Sequence, residues 1–234
     1  MGSESVRGIL MSTYANLKLM ITIFQHGVNE SSGEIENYLL KIGVPFEIVR
    51  LYESNEIPNS IPSNLIILGG QMSVNDTIEY PFFIEEKRVI RKMIGMNNPI
   101  LGICLGAQLI SSAFGERVYP HTRELGWHEV MRCNKDSFFS DNFRVFHWHN
   151  ETFNLPPGAK LVLEGRLVKN QAFRLGSALA VQFHPEVTYD IISTWTKDLS
   201  DHIKEEIEQE SMQYLEEYSH QCHDLLDRFI TGWS

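Results

Sequence analysis

Residues 99–114 read PILGICLGAQLISSAF, and this stretch decides the fold. Pro99–Ile103 reads as a short apolar strand, and Leu105–Phe114 as a helix that starts almost where the strand stops. Cys104 stands at the junction. Glycines flank it two positions away on each side, at Gly102 and Gly106, where a sharp turn would otherwise drive side chains into collision. A strand, a tight turn bearing a nucleophile and a helix make the geometry of a nucleophile elbow. Such a turn presents its side chain at the carboxyl end of a sheet, where open α/β sheets bind ligands. It also sets the sulfur at a helix N-terminus, whose partial positive charge favours thiolate. By composition alone, glycines at both positions around one of three cysteines arise in roughly one to two chains in a hundred. The motif therefore carries weight through its strand-to-helix setting.

Upstream, strand-like and helix-like stretches alternate. Lys18–Phe24 reads as a buried strand and Ser32–Ile42 as a helix, with apolar Ile35, Leu39 and Ile42 on one side and Gly43 as its stop. Phe46–Leu51 and Leu65–Leu68 read as strands, and Phe82–Ile94 as a helix opened by Pro81. This alternation predicts βαβ units on a mainly parallel sheet. Downstream the character changes. Trp127–Cys133, Phe143–His147, Lys160–Leu163, Asn170–Phe173 and Ala178–Phe183 read as short strands, forming an antiparallel extension and a return to the main sheet. The C-terminal part reads as helix. Ile203, Ile207, Tyr214, Tyr218, Cys222, Leu225 and Phe229 share one apolar face, and acidic residues fill the other. Residues 1–17 read as a loose extension, with Met11 as an alternative start, and residues 18–234 as a single domain that includes the acidic C-terminal helix.

A thiol nucleophile needs a base, and the base needs something to orient it. His184-Pro185-Glu186 follows the apolar run ending at Phe183. In extended chain, residues two apart face the same way, so His184 and Glu186 are expected to serve one site together. The other histidines considered, His26, His121, His202, His220 and His223, lack this setting and read as structural or surface residues. Gly69-Gly70 ends the Leu65–Leu68 strand. Acyl transfer builds negative charge on oxygen, and backbone N–H groups stabilise it. The N–H groups of Gly70 and Leu105 are the expected oxyanion hole.

These residues closely resemble the class I glutamine amidotransferases of the triad type. The family's nucleophile motif, G-x-C-x-G-x-Q, is met by Gly102–Gln108, and its H-P-E signature by residues 184–186. The resemblance runs from about Lys18 to about Trp195 and takes in Glu124–Trp127, Phe146–Glu151 and Asn170–Phe173. It implies Cys104 as nucleophile, His184 as base and acid, and Glu186 as orienter. It implies substrate contacts at Gln108 and around His147–His149, with Trp148 and His149 lining the pocket; Trp127 and Phe173 are expected in the core. The implied fold is α/β, three layers, with a mainly parallel, flavodoxin-like central sheet. The implied reaction is hydrolysis of the γ-amide of glutamine through a γ-glutamyl thioester, with no metal and no organic cofactor. Relatives that hydrolyse γ-glutamyl peptides and amines often carry arginine after the nucleophile; Leu105 here favours glutamine. Family members usually work with a synthase that consumes the ammonia, so a separate synthetase subunit is the expected partner. Two alternatives stay open: a hydrolase of γ-glutamyl conjugates, and an idle regulatory module that binds a partner through its acidic helix.

Composition narrows the setting. The chain has 234 residues and a formal net charge of -10, which disfavours nucleic acid as partner. No apolar run is long enough to cross a membrane, and the N-terminus carries neither a secretory signal nor a myristoylation pattern. Cys104, Cys133 and Cys222 form no C-x-x-C pair, so neither a disulfide framework nor a zinc site is expected, and a cytoplasmic location is.

Overall fold

The computed structural model describes residues 20–133, 139 and 142–233. The expected N-terminal extension at residues 1–17 lies outside the described residues. Nine strands form one sheet in the order β2-β1-β3-β4-β9-β8-β7-β5-β6. Its parallel part comprises β1 (Ile21–Gln25), β2 (Phe46–Arg50), β3 (Asn64–Ile67), β4 (Ile100–Ile103) and β9 (Ala178–Val181). Its antiparallel part adds β5 (Val118–Arg132), β6 (Asn142–Phe153), β7 (Lys160–Gly165) and β8 (Asn170–Leu175). The parallel order is the flavodoxin-like doubly wound one, with its switch point between β1 and β3.

Helices cover both faces, and alternation along each strand assigns side chains to them. Ile66, Leu101, Ile103, Leu179 and Val181 join one core. Leu65, Ile67, Ile100, Ala178 and Ala180 join the other. The first core is closed by α1 (Gly33–Ile42) and α6 (Asp201–Ile230). The second is closed by α3 (Phe82–Gly95) and α4 (Leu105–Ala113). Helix α1 stops at Gly43, whose φ of 71° is left-handed and lets its N–H reach the carbonyls of Leu39 and Leu40. Two short helices, α2 (Leu51–Ser54) and α5 (Tyr189–Thr196), complete the set among the described residues.

The structure departs from the sequence reading in the antiparallel half. The β5–β6 hairpin is much longer than the two short runs predicted. Tyr119–Arg123 lacks apolar alternation and contains Pro120, and its pairing with β6 shifts register between Pro120 and Glu124. Helix α6 does dock. Trp127 of β5 packs edge-on against Tyr218 and donates its Nε1–H to Ser211 at 3.0 Å. Tyr38 of α1 donates to Asp227 at 2.7 Å. Ile207, Tyr218, Cys222, Leu225 and Phe229 are buried. Ile203 is 41% exposed, so the apolar face begins one turn later than expected. No helix among the described residues is long and apolar enough to cross a membrane.

Candidate active site

Cys104 joins β4 to α4 with φ 50° and ψ -103°, a conformation that side chains other than glycine rarely adopt. Its N–H is held by the Val181 carbonyl at 2.8 Å, which fixes the turn to the neighbouring strand. The two glycines have a geometric cause. A Cβ on Gly102 would meet the Gly106 carbonyl oxygen at 2.7 Å, and a Cβ on Gly106 would overlap the Ile67 carbonyl of β3. The elbow thus fits because helix and strand touch backbone to backbone. Gly106→Ala is therefore expected to destabilise the fold by about 1–3 kcal/mol. Urea denaturation checks this, and an unchanged midpoint would mean the elbow has room to spare.

His184 and Glu186 are brought together, though not in the way the sequence reading supposed. Strand β9 ends at Val181, and Pro185-Glu186 form a turn rather than extended chain. Pro185 has no N–H for a ladder, and the His184 N–H is taken by the Phe146 carbonyl of β6 at 2.9 Å. The carbonyl of Glu186 accepts the Glu34 N–H at 2.9 Å, anchoring the loop to the start of α1. Within this turn His184 Nδ1 lies 2.7 Å from Glu186 Oε1, with both side chains buried. Burial alone pulls the imidazole toward its neutral form. The Glu186 carboxylate and the Cys104 sulfur oppose that pull and hold its pKa up at about 10. His184 Nε2, the nitrogen left over, is buried without a hydrogen-bond partner among the described residues.

Gly69-Gly70 follows β3 and runs between these groups. A Cβ on Gly69 would fall 2.9 Å from the His184 ring and 3.6 Å from Cys104 Cβ. A Cβ on Gly70 would fall 2.6 Å from the Leu105 side chain and 3.1 Å from His26 Cβ. Gly70 and Leu105 are thus neighbours, and Leu105 opens a helix whose first N–H groups are outside the helical ladder. His26 supports the loop from below through a buried contact with Glu86 at 3.1 Å. At the β1/β3 switch point a cleft of about 410 Å³ opens between Gly27–Glu30 and Gln71–Met72. Cys104 and His184 are not on its wall, whereas the acidic Glu30, Asp76 and Glu79 are. Burial raises the pKa of Glu30, partly offset by a hydrogen bond from Gln71 and by the nearby His184 and His26.

The remaining expected site residues are placed as follows. Gln108 is buried and its amide approaches the Glu151 carbonyl at 3.4 Å. Trp148 stacks on Phe146 at 6.3 Å and leans on Trp195. The His149 ring turns into a buried cluster with Glu124 and His147 rather than toward the cleft. Three neighbours of the site were not singled out from sequence. Gln182 directs its amide at Cys104 Sγ, 3.6 Å away. Trp195 of α5 stands edge-on to the His184 ring at 4.8 Å and donates to the Asn29 carbonyl at 3.0 Å. Glu30 borders the cleft. Gln182 sits two residues before His184, a spacing that was readable; Trp195 and Glu30 reach the site only through tertiary packing.

The family described as glutamine amidotransferase class-I matches residues 29–193, well over half of the chain. The chain belongs to the class I glutamine amidotransferases. Members of that family hydrolyse the amide of glutamine and pass on its ammonia, in general through a cysteine. A glutamine amidotransferase-like protein of Salmonella typhimurium, YfeJ, is 26% identical over 180 residues, covering 71% of this chain and 75% of its own. The GMP synthase of Helicobacter pylori is 28% identical over 174 residues, and the match covers 72% of this chain but only 33% of the synthase. A solved glutamine amidotransferase of Thermotoga maritima superposes with a TM-score of 0.84 at 26% identity, covering 92% of this chain and 99% of its own. This amidotransferase therefore matches stand-alone relatives over most of their length and the GMP synthase over about a third.

Proposed function

We propose that this amidotransferase is a glutaminase in which Cys104, His184 and Glu186 form the triad. The observation that carries the reading is the Glu186–His184 pair at 2.7 Å, with the Cys104 sulfur beside the same imidazole. In this reading the Cys104 thiolate attacks the γ-carboxamide carbon of glutamine. The N–H groups of Gly70 and Leu105 stabilise the developing oxyanion. The His184 imidazolium gives its proton to the departing ammonia, leaving a γ-glutamyl thioester. Water, deprotonated by His184, then attacks the thioester; collapse releases glutamate and expels the Cys104 thiolate beside the re-formed imidazolium. Gln108 and Trp148 remain candidates for holding the substrate. The His149 ring is committed to Glu124 and the Glu151 carbonyl, which leaves its backbone as the candidate contact. Ammonia release from glutamine is the direct test, together with labelling by a glutamine analogue electrophilic at the γ-position. No release and no adduct on Cys104 would refute the assignment.

Glu186→Gln offers a finer check. The carboxylate opposes burial in raising the His184 pKa to about 10. Without that charge the desolvation favouring neutral imidazole gains ground, so the pKa falls. The alkaline limb of the pH–kcat profile, where the imidazolium is lost, is expected to move toward lower pH. A limb that stays in place would mean Glu186 does not control the base.

The acidic wall of the cleft favours one second reading. Glu30, Asp76 and Glu79 would suit a cationic leaving group, as in a γ-glutamyl amine. Comparing kcat/KM for glutamine with that for γ-glutamyl amines and peptides separates the two.

For the glutaminase reading, the ammonia acceptor is proposed to lie on a separate synthetase subunit, as the likeness to the amidotransferase part of GMP synthase suggests. Docking at the carboxyl side of the sheet would act through Gly69-Gly70, whose freedom allows an oxyanion donor to turn away and return. One misplaced donor costs roughly 10²–10³ in rate. Ammonia release by the isolated chain is expected to be slow and to rise by about that factor when the acceptor subunit is added from fractionated lysate. High turnover alone, changed by no fraction, would indicate a self-sufficient hydrolase.

A further inference from the structure

Behind the His184 loop lies a buried cluster that the triad does not use. Glu124 of β5 and His149 of β6 are direct cross-strand partners, and His147 lies two residues back on the same face of β6. Their side chains are 0–2% exposed. Glu124 Oε2 is 3.0 Å from His149 Nε2 and 3.6 Å from His147 Nδ1, and the two nitrogens are 3.2 Å apart. Three lone-pair atoms therefore form a compact triangle. Zinc holds imidazole nitrogen and carboxylate oxygen at about 2.0–2.1 Å, which in a tetrahedron sets ligand atoms about 3.3–3.4 Å apart. Adjacent octahedral positions would be about 2.8–3.0 Å apart at the same bond length. The three observed edges straddle the tetrahedral value.

The hydrogen bonds around the triangle point the same way. His149 Nδ1 lies 3.1 Å from the Glu151 carbonyl, which can only accept, so Nδ1 carries a proton. Nε2 is then the nitrogen turned toward the Glu124 carboxylate, in the position of a ligand atom. A carbonyl gripping the far nitrogen is the usual outer partner of a metal-bound imidazole. Glu124 is oriented in turn by the Gln171 amide at 2.8 Å, which also donates to the Val168 carbonyl at 3.0 Å. His147 turns Nδ1 into the triangle, and its Nε2 is buried without a partner among the described residues.

We propose that Glu124, His147 and His149 bind one divalent transition-metal ion of the zinc class, with a fourth position for water. The ion ties β5 to β6 just after the register shift and fixes the Trp148–Glu151 backbone beside the elbow. The sequence reading expected no metal from the cysteine spacing and the family resemblance; Glu124 joins His147-Trp148-His149 only through the β5–β6 pairing. The proposal is independent of the glutamine chemistry.

The test uses the full chain carrying Cys104→Ser, so that thiol-bound metal is not counted. It is expressed with zinc or with cobalt supplementation, and its metal content is measured by mass spectrometry. About one equivalent of zinc is expected, and the cobalt form should show the visible absorption of a tetrahedral site. Stripping with a chelator should lower the melting temperature, and zinc at a hundredfold excess over Kd should restore it by about 5–10 °C. Glu124→Gln, which keeps size and shape, should lose the equivalent and the cobalt spectrum; His149→Ala gives a second reading if the glutamine variant misfolds. Metal retained in Glu124→Gln would place it elsewhere and overturn the proposal. No metal under either supplementation would also overturn it.

Discussion

Cys104→Ala is expected to lower ammonia release from glutamine by roughly 10⁴-fold or more, since nucleophile and base act as one unit. Neither of the other cysteines can substitute. Cys222 is buried on the inner face of α6, and burial pushes its thiol well above the ordinary range. Cys133 is exposed, and its pKa is also raised, chiefly by desolvation and further by the nearby Glu164 carboxylate. Only Cys104 combines the strained φ of 50°, a position at the head of α4 and an imidazole held cationic beside it. The same contrast gives a labelling test. A γ-electrophilic glutamine analogue should modify one cysteine per chain, and peptide mapping should place it on Cys104. A simple alkylating agent will also reach exposed Cys133, so protection by glutamine is the diagnostic: it should shield Cys104 and leave Cys133 reactive. An adduct mainly on Cys133 or Cys222, or an undiminished rate in Cys104→Ala, would overturn the assignment.

The parallel half of the fold was legible because each of its elements carries its own punctuation. Gly43 ends α1, Pro81 opens α3, and Gly102 and Gly106 bracket the elbow. Strand limits moved by one to three residues, as expected where pairing rather than pattern ends a strand. The long β5–β6 hairpin was not legible, because residues 120–123 are exposed, lack apolar alternation and contain the register shift between Pro120 and Glu124. At the site, the pairing of His184 with Glu186 was anticipated, but the argument from extended chain does not explain it. A proline-bearing turn anchored on Phe146 and Glu34 brings the two side chains together. His149 shows the opposite limit. Its position next to the site was readable, while the direction of its ring depends on which β5 residue stands opposite, and that register lies beyond single-sequence reading.

His184→Ala is expected to cost about as much as Cys104→Ala, again roughly 10⁴-fold in kcat, and the double variant little more than either alone. The reason lies in the geometry. His184 is the only described titratable side chain shown coupling Cys104 to Glu186, and in the proposed mechanism its imidazole does two jobs, protonating ammonia and later activating water. Its loss removes both, and it also removes the positive charge facing the sulfur. A vacated site should therefore change the thiol as well as the turnover. Alkylation of Cys104 at neutral pH should be slower in His184→Ala than in the native chain, because the cation beside the sulfur is gone. Folding must be shown intact, because Trp195 packs edge-on against the ring at 4.8 Å and loses that contact; His184→Gln keeps much of the volume without a proton to give and should be as inactive. Measured kcat values for the two single variants and the double variant decide the matter. Losses that multiply in the double variant would show that Cys104 and His184 act independently, and the thiolate–imidazolium mechanism would then have to be abandoned.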